Sequence, residues 1–532
     1  MDEPLLEEPS GALSALGAAL AAEARGDWPQ SFVLCRKALA EPEQQPDAFN
    51  LLGRLCWTAG DAANAIALQQ FVLTLDPHHA RAAGDLRVAR GAIRSSAQAE
   101  AAFRAAAALH PDITCHHRDP GSLLPFVGMD AVEQHLRSAL ELDPSFAPAH
   151  AALGNVLARR QRNGEALDAY RLAAMLAWAW PDVHLALAAF YEMVRDAQSA
   201  ARHRHEALSR KQLYAASDDG APRKVLVLAA PGGPVANAPL DFCVNHARVA
   251  LHVYYITGGA VPDLPPHDLV FCAIEEAEAH DAVVERCTAL IGALGKPAVN
   301  RPERLGGLRR SALPRTLGGV AGCAVPQTQR VDRNVLRARL SGAGEPVVFP
   351  VLVRPVDTHR GDWQERIATA AELDGYLARV PGGAFNVSRF IDYKSSDGYY
   401  RKYRVIVVDG EPFPYHLAIS GDWKVHYHSS LMEHHAWMRD EEKRFFEDPQ
   451  SVFPAWDAVF RAIARAVGLD YFGIDCALGP DGSVLVFECG SGMLVHCQDD
   501  PAPFAYKYEH VPRIFAALDA LLERKAAGVP GP

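Results

Sequence analysis

The sequence predicts a multidomain protein: an all-α helical-repeat solenoid, then an α/β open-sheet domain, then an α+β domain. Upstream of about residue 215 the 532-residue chain is dense in Ala and Leu, whereas Val, Gly, Pro and Tyr become common downstream. The upstream part repeats a Leu-x-Pro motif at near-constant spacing, and the downstream part alternates apolar strands with turn signals. We therefore predict domains at residues 1–215, 222–300 and 301–525.

The charge and the composition of the chain disfavour some classes of binding partner. The formal net charge is −11 and the sequence pI is about 6.1, which disfavours a nucleic-acid partner or an anionic membrane surface. The acidic start does not resemble a leader, and no apolar run reaches the roughly 18 residues of a spanning helix. The ten cysteines form no C-x-x-C pair, which favours reduced thiols. We expect a cytoplasmic protein.

The repeat has a period of 34 residues. Leu75-Asp76-Pro77, Leu109-His110-Pro111 and Leu142-Asp143-Pro144 recur at steps of 34 and 33, and Gly26-Asp27 returns as Gly60-Asp61. A 34-residue period is typical of tetratricopeptide repeats. Residues 112–128 break the pattern with Pro and Gly, so one repeat is expected to be remodelled.

The repeat copy that fits the pattern best covers residues 50–77, and three of its residues have clear structural roles. Gly53 and Ala65 are small where paired helices approach, and Pro77 ends the second helix. The region resembles tetratricopeptide arrays, which implies a solenoid that binds a peptide or protein. The alternative is an Ala-rich scaffold or dimer surface, so a homo-oligomer stays open.

The next segment predicts a small open-sheet domain. Residues 223–230 form a buried strand that enters a Gly/Pro loop, and further strands are predicted at 253–256, 268–271 and 297–299, with a helix over 277–294. The G-x-G-x-x-G and P-loop patterns are absent. A Rossmann dinucleotide enzyme or a Walker enzyme is therefore not supported.

Three later predicted strands carry cationic side chains. Residues 347–355 are predicted as a buried strand that carries Arg354 and is followed by a polar loop, a combination that suits a polyphosphate. Residues 385–394 are predicted as a strand ending in Asp392 and Lys394. On the strand predicted over 399–408, Lys402 and Arg404 share one face. Two cations on one face favour an anionic ligand, although a solvated strand face is the usual explanation.

Residues 472–488 predict a hairpin whose apolar strands flank Pro480-Asp481-Gly482. If Asp481-Gly482 is a two-residue loop, Asp475 lies directly opposite Glu488, about 5 Å away on the same face. Such carboxylates repel each other unless a cation intervenes. Magnesium, which takes one or two carboxylates and leaves its other positions to water and phosphates, is the simplest remedy. The alternative is a hairpin with two exposed acids.

The order of these elements resembles the ATP-grasp superfamily, particularly glutathione synthetases and ribosomal-protein glutamate ligases, over about residues 222–525. The resemblance implies a fold that clamps ATP between two α+β lobes and uses Mg2+. It also implies site residues: Arg310, Arg354, Asp392, Lys394 and Lys402 for the nucleotide, Asp475 and Glu488 for the metal, and Arg354, Lys402 and Arg404 for catalysis. His416, His426 and His428 are candidates on the substrate side.

One position departs from the family pattern. The family places an Asn two residues after its second metal carboxylate, whereas this chain has Gly490 there. The implied reaction activates a carboxylate as an acylphosphate, from which an amine displaces phosphate to form an amide.

These features support three hypotheses about function. The first is an ATP- and Mg2+-dependent carboxylate–amine ligase whose repeats recruit a peptide or protein substrate for modification. The second is an ATP-binding, catalytically impaired adaptor whose repeats mediate protein–protein interaction. The third is an enzyme acting on free small molecules, with repeats used for assembly. Gly490 is the feature that discriminates the first two.

Overall fold

The computed structural model describes residues 14–109, 128–215, 220–232, 235–358, 361–426, 430–497, 499 and 501–529. The chain divides into two compact units, residues 1–114 with 126–178 and residues 115–125 with 179–532. The three domain boundaries predicted above stay predictions. Among the described helices, none combines the length and the apolar character needed to cross a bilayer.

The first unit is helical. Its described helices are α1 (Ala15–Ala24), α2 (Trp28–Ala38), α3 (Gln45–Thr58), α4 (Ala62–Leu75), α5 (Ala80–Leu109), α6 (Met129–Leu142), α7 (Ala147–Arg159) and α8 (Asn163–Leu176). Consecutive helices pack together, as in α1 with α2, α3 with α4, and α7 with α8. The predicted helical repeats are confirmed.

The turns between paired helices repeat a left-handed residue. Positive φ angles occur at Gly26, Gly60, Gly128, Gln161 and Arg195, at steps of 34, 68, 33 and 34 residues. After each of the first two, an Asp caps the next helix by accepting a backbone N–H three residues later. The spacing of the turns is therefore kept even where the left-handed residue is Gln161 or Arg195 and not glycine.

Between Gly60 and Gly128 one left-handed turn residue is missing, and the place where the period would put it lies inside α5. A turn is due near residue 94, but α5 continues through it and is 30 residues long. The two helices of this repeat are therefore fused into one. Residues 112–127 of the segment predicted to be remodelled lie outside the described residues.

Close packing explains the small residues of the repeats. A Cβ at Gly154 on α7 would lie 2.5 Å from the Tyr170 ring on α8, and a Cβ at Gly53 on α3 would meet the Gln69 amide on α4. The role predicted for Gly53 is confirmed.

The second unit contains ten α-helices among its described residues. They are α9 (Pro181–Met193), α10 (Ala197–Arg210), α11 (Asp281–Leu294), α12 (Leu313–Thr316), α13 (Arg333–Leu340), α14 (Ala370–Arg379), α15 (Ala436–Glu447), α16 (Trp456–Val467), α17 (Pro501–Phe504) and α18 (Lys507–Ala526).

Its fourteen described strands form three sheets. They are β1 (Leu213–Ala215), β2 (Arg223–Ala229), β3 (Val249–Tyr255), β4 (Leu269–Cys272), β5 (Ala298–Val299), β6 (Cys323–Ala324), β7 (Thr328–Asp332), β8 (Val351–Pro355), β9 (Glu365–Ile367), β10 (Ala384–Arg389), β11 (Tyr400–Val408), β12 (Glu411–Ser420), β13 (Tyr471–Leu478) and β14 (Val484–Gly490).

The first sheet has the order β1-β3-β2-β4-β5, with β2 parallel to both β3 and β4. The four strands predicted for this region are confirmed as β2 to β5. The edge strand β1, which pairs antiparallel with β3, was not predicted because three residues show no readable alternation.

The other two sheets form the predicted α+β region. Their orders are β7-β10-β8-β9 and β12-β11-β13-β14-β6. The four-stranded sheet packs with α13 and α14 around a core of its own. The five-stranded sheet that contains β11 to β14 instead shares its core with the open sheet of β1 to β5. The predicted fold class is confirmed: a helical repeat region, an open sheet that is parallel except at its edge strand β1, and an α+β region.

The strand predicted over 385–394 is shorter in the structure. β10 ends at Arg389, and Asp392 lies in the connection to β11, where its carboxylate accepts the Lys394 N–H at 3.1 Å. An acid that bonds a backbone N–H two residues later favours a turn over a strand. The placement of Asp392 and Lys394 on a strand was therefore wrong.

Candidate functional site

The hairpin β13–β14 has the predicted pairing, with a different loop. Asp475 lies directly opposite Glu488. The loop is longer than two residues, because the Gly479 N–H donates to the Ser483 carbonyl at 2.8 Å. The register then shifts by one residue between Asp475 and Cys476, where Phe487 forms a bulge. The predicted two-residue loop was wrong, and the bulge restores the Asp475–Glu488 pair.

Asp475 is held by two cations from the neighbouring strand. The Arg404 guanidinium donates to both carboxylate oxygens, at 2.6 and 3.0 Å, and the Lys402 ammonium donates at 3.0 Å. The Asp475 side chain is 2% exposed. Burial would raise the pKa of Asp475, but the charges of Arg404 and Lys402 outweigh it and hold that pKa well below its ordinary value. The prediction that Lys402 and Arg404 share a face is confirmed.

Arg401 points away from this site. It pairs with Glu441 on α15 and with Asp397 in the connection before β11. Strand alternation thus separates Arg401 from the two residues that flank Asp475.

Glu488 has its own cations. Arg310, in the segment between β5 and β6, forms an ion pair with it. Burial opposes the charged form, but Arg310 and then Arg354 help hold the pKa of Glu488 below its ordinary value. Three protein cations therefore contact the two carboxylates: Arg404 and Lys402 at Asp475, and Arg310 at Glu488.

Arg354 lies at the end of β8 and is 7% exposed. Its guanidinium donates to the hydroxyl and the carbonyl of Thr358, which fixes it against the following loop. Burial, and then the like charge of Arg310, lowers the pKa of Arg354 to about 10. A buried arginine whose charged form is opposed by a second arginine favours an anion beside it.

We call four residues the cation cluster: Arg310, Arg354, Lys402 and Arg404. Against the two carboxylates Asp475 and Glu488, these four cations leave a surplus of two positive charges. They come from different elements of two sheets and one connecting segment. Asp392 and Lys394 are not part of it: within the described residues, Lys394 lies over the Tyr400 ring, 5.2 Å from its centroid.

The histidines occupy two different places. His416 on β12 lies opposite Arg404 on β11 and is 7% exposed. Burial, and then the Arg404 charge, lowers the pKa of His416 well below its ordinary value. His426 lies against the loop after β8, since a Cβ at Gly361 would be 2.6 Å from its Nε2. Burial, and then Lys402, lowers the pKa of His426. His428 lies outside the described residues.

Glu275 and Glu276 were missed by the sequence argument. They follow β4, and a Cβ at Gly490 would lie 2.7 Å from Oε1 of Glu275. Burial raises the pKa of Glu275 to about 8 and that of Glu276 to about 7. The available signal was their position after a buried parallel strand, because ligands bind at the carboxyl ends of such strands.

The donor set is suited to magnesium bound together with phosphates. Among the described residues no group of three or more His, Cys, Asp or Glu side chains forms a protein-only metal cage. Magnesium does not need one, because it usually binds through one or two carboxylates plus substrate phosphates and water. The facing carboxylates of Asp475 and Glu488 meet that requirement, and Glu275 fills the cradle above Gly490.

Parts of this chain are similar to solved structures of other proteins. No protein-family model and no curated protein matches the chain. A VanG D-Ala:D-Ser ligase from Enterococcus faecalis is 14% identical with a TM-score of 0.38, over 56% of this chain and 99% of that chain. A RimK domain ATP-grasp protein from Sphaerobacter thermophilus is 15% identical with a TM-score of 0.36, over 56% and 99%.

The helical part has its own similar structures. A thermophilic TPR protein from Thermus thermophilus is 19% identical with a TM-score of 0.17, over 37% of this chain and 89% of that chain. The chain is thus similar to ATP-grasp ligases in its C-terminal part and to TPR proteins in its N-terminal part. With TM-scores below 0.5, these likenesses carry no argument about activity.

Proposed function

We propose that this protein is an ATP- and Mg2+-dependent carboxylate–amine ligase that forms an amide through an acylphosphate. The observation that carries the proposal is the cation cluster, whose surplus of two positive charges lies partly buried beside a facing pair of carboxylates. Buried cations without matching carboxylates are unfavourable unless an anion joins them. A polyphosphate with its magnesium ion has the charge and the oxygen atoms that such a site lacks.

The reaction consists of two displacements. A substrate carboxylate oxygen attacks the γ-phosphorus of ATP, the bond to the β-phosphate oxygen breaks, and ADP leaves. The amine then attacks the acylphosphate carbonyl, phosphate leaves with the electron pair of the broken C–O bond, and the ammonium group loses a proton. No protein nucleophile is required.

The cation cluster would act mainly through charge. Negative charge develops on phosphoryl oxygens in the first step, and fixed donors in a site of low dielectric stabilise it. Arg354 is held by Thr358 and Arg404 by Asp475, so neither has to reorganise during the reaction. Magnesium, when bound by Asp475 and Glu488, would neutralise phosphate oxygens and orient the transferred group.

The substrate side of the proposal involves His416, His426 and the repeats. A histidine whose pKa is lowered is neutral near pH 7, so its ring can hydrogen-bond a substrate amine or carboxylate. The helical repeats would recruit a peptide or protein that carries the carboxylate or the amine.

Phosphate release from ATP tests the proposal. Full-length protein with ATP, Mg2+ and pooled amino acids or peptides is expected to release phosphate only when an acceptor is present. Glu488→Gln should abolish the release, and it suits this test because Glu488 is 35% exposed whereas Asp475 is buried. The control Glu447→Gln changes an exposed residue of α15 and should keep wild-type release.

The outcomes separate the ligase from the adaptor hypothesis. Release no higher than in Glu488→Gln, with ADP still bound, would overturn the ligase and favour the ATP-binding adaptor. If the wild-type protein does not bind ADP, both the ligase and the adaptor hypotheses are contradicted.

A further inference from the structure

The loop that follows β8 is anchored by one aspartate to the open-sheet part of the second unit. Asp357, three residues after Arg354, accepts hydrogen bonds from the backbone N–H groups of Glu278 at 2.9 Å and Ala279 at 3.0 Å. These two groups begin the helical segment 278–294, which contains α11. The first N–H groups of a helix have no partner within it, so Asp357 caps this segment from a different sheet.

The backbone conformation of Asp357 depends on this contact. Its φ angle is 57°, in the left-handed region. Residues other than glycine enter that region at an energetic cost, which is smallest for Asn and Asp. Such a conformation persists where the surrounding structure holds it, and the two hydrogen bonds to the helical segment do so here.

The same loop holds Arg354. Thr358, the residue directly after Asp357, accepts hydrogen bonds from the Arg354 guanidinium at its hydroxyl oxygen, 3.1 Å from Nε, and at its backbone carbonyl. The Thr358 hydroxyl donates in turn to the Pro355 carbonyl at 2.7 Å. The position of the guanidinium therefore follows the position of the loop that Asp357 anchors.

A second contact joins the same two sheets without involving this loop. Arg330 on β7 donates from its Nε to both carboxylate oxygens of Glu278, at 2.7 and 3.0 Å. Both side chains are partly exposed, and ion pairs of this kind contribute little to stability. Arg330 therefore offers a matched comparison: it reaches the same helical segment from a strand that does not carry Arg354.

We propose that Asp357 is a positioning residue, which fixes the loop that holds Arg354 and so prepares the guanidinium for the phosphates of a nucleotide. Fixing the loop in advance raises affinity, because a site that adopts its binding-competent form only part of the time binds more weakly by that fraction. The open-sheet part of the second unit would then contribute to nucleotide affinity through this contact. The inference rests on the proposed function, because it assumes that Arg354 binds nucleotide phosphates.

The affinity of the full-length protein for ADP, measured by isothermal titration calorimetry, tests the inference. Asp357→Gly removes the carboxylate and leaves the left-handed backbone accessible. It is expected to weaken ADP binding about fivefold, which corresponds to about 1 kcal/mol, a typical contribution of a helix cap. Asp357→Asn keeps a capping oxygen and should bind ADP like the wild type. The matched control Arg330→Gln should do the same.

A double variant tests whether Asp357 acts through Arg354. Arg354→Lys keeps the positive charge but lacks the planar group that bonds both Thr358 oxygens. Asp357→Gly together with Arg354→Lys should bind ADP no more weakly than Arg354→Lys alone, because the two residues then belong to one coupled unit. A general loss of structure would instead add to the effect of Arg354→Lys.

The sign of the effect separates positioning from charge alone. Loss of a negative charge beside a phosphate site would by itself strengthen ADP binding, in Asp357→Asn as much as in Asp357→Gly. Unchanged or stronger ADP binding in Asp357→Gly would overturn the inference and leave the ligase proposal standing. Additive losses in the double variant, or an equal loss in Arg330→Gln, would also overturn it. If the wild-type protein does not bind ADP, the proposed function itself is overturned.

Discussion

Asp475 connects the chemistry of the site to the stability of the fold. It accepts three charge-assisted hydrogen bonds from Arg404 and Lys402 in a position where its side chain is 2% exposed. Removing one partner of a buried ion pair leaves uncompensated charge, which costs more than the pair itself contributes.

We therefore expect Asp475→Asn to lower the free energy of unfolding by about 3–5 kcal/mol, because it leaves two cations without their carboxylate. Urea denaturation of the full-length protein measures the effect. Asp440→Asn, at an exposed position of α15, is the control and should shift the midpoint little. A small effect at Asp475 would mean that solvent or another anion already screens these cations.

The lowered pKa of His416 predicts that the free energy of unfolding depends on pH. In the unfolded chain a histidine takes up a proton below about pH 6.5, whereas His416 in the folded protein resists it because its pKa is lowered. The unfolded state then binds more protons, so the free energy of unfolding falls as the pH drops through that value. Between pH 7.5 and 5.5 this residue should remove roughly 1.4 kcal/mol of stability.

Urea denaturation at these two pH values should therefore show a smaller loss in His416→Asn than in the wild-type protein. The control His434→Asn changes an exposed histidine and should retain the wild-type loss. Equal losses in all three proteins would contradict the pKa direction assigned to His416.

At the scale of residues, the local pattern determined what could be predicted. Lys402, Arg404 and Asp475 were placed correctly because strand alternation acts within a few residues. Glu275 could not be placed beside Gly490, because their proximity depends on the packing of two sheets and leaves no periodic signal in the sequence.

At the scale of elements, the contact between α7 and α8 is set by one glycine. Gly154→Ala is expected to destabilise the protein by about 1–3 kcal/mol through overpacking, since its Cβ would lie 2.5 Å from the Tyr170 ring. Thermal unfolding followed by circular dichroism measures it. Gly164→Ala on α8, where a Cβ meets no described atom within 4 Å, should cause no loss. Equal midpoints for the two variants would contradict this account.

The turns show why the repeat was only partly predicted. Gly26 and Gly60 mark two turns in the sequence, but Gln161 and Arg195 adopt the same left-handed conformation without being glycine. Residues other than glycine enter this region at an energetic cost, so sequence alone does not indicate them. The hairpin shows the opposite case: its loop was predicted wrongly, and the bulge at Phe487 still places Asp475 opposite Glu488.

At the scale of the whole molecule, the net charge of −11 contrasts with the local positive surplus of the cation cluster. All residues of the candidate site belong to the second unit. A protein lacking residues 1–178 is therefore expected to bind ADP with unchanged affinity, since a unit with its own core retains its site. Isothermal titration calorimetry measures this, with circular dichroism to verify folding. A folded fragment that no longer binds ADP would show that the first unit contributes to the nucleotide site.

The fused helix α5 also affects how the first unit loses its structure. In arrays of separate repeats, a boundary between folded and unfolded segments forms most easily at a turn. α5 has no turn near residue 94, extends about 45 Å at the usual helical rise, and packs against both α4 and α6. Folding of the repeats before it is therefore coupled to folding of those after it. The first unit should melt as one cooperative body and not repeat by repeat.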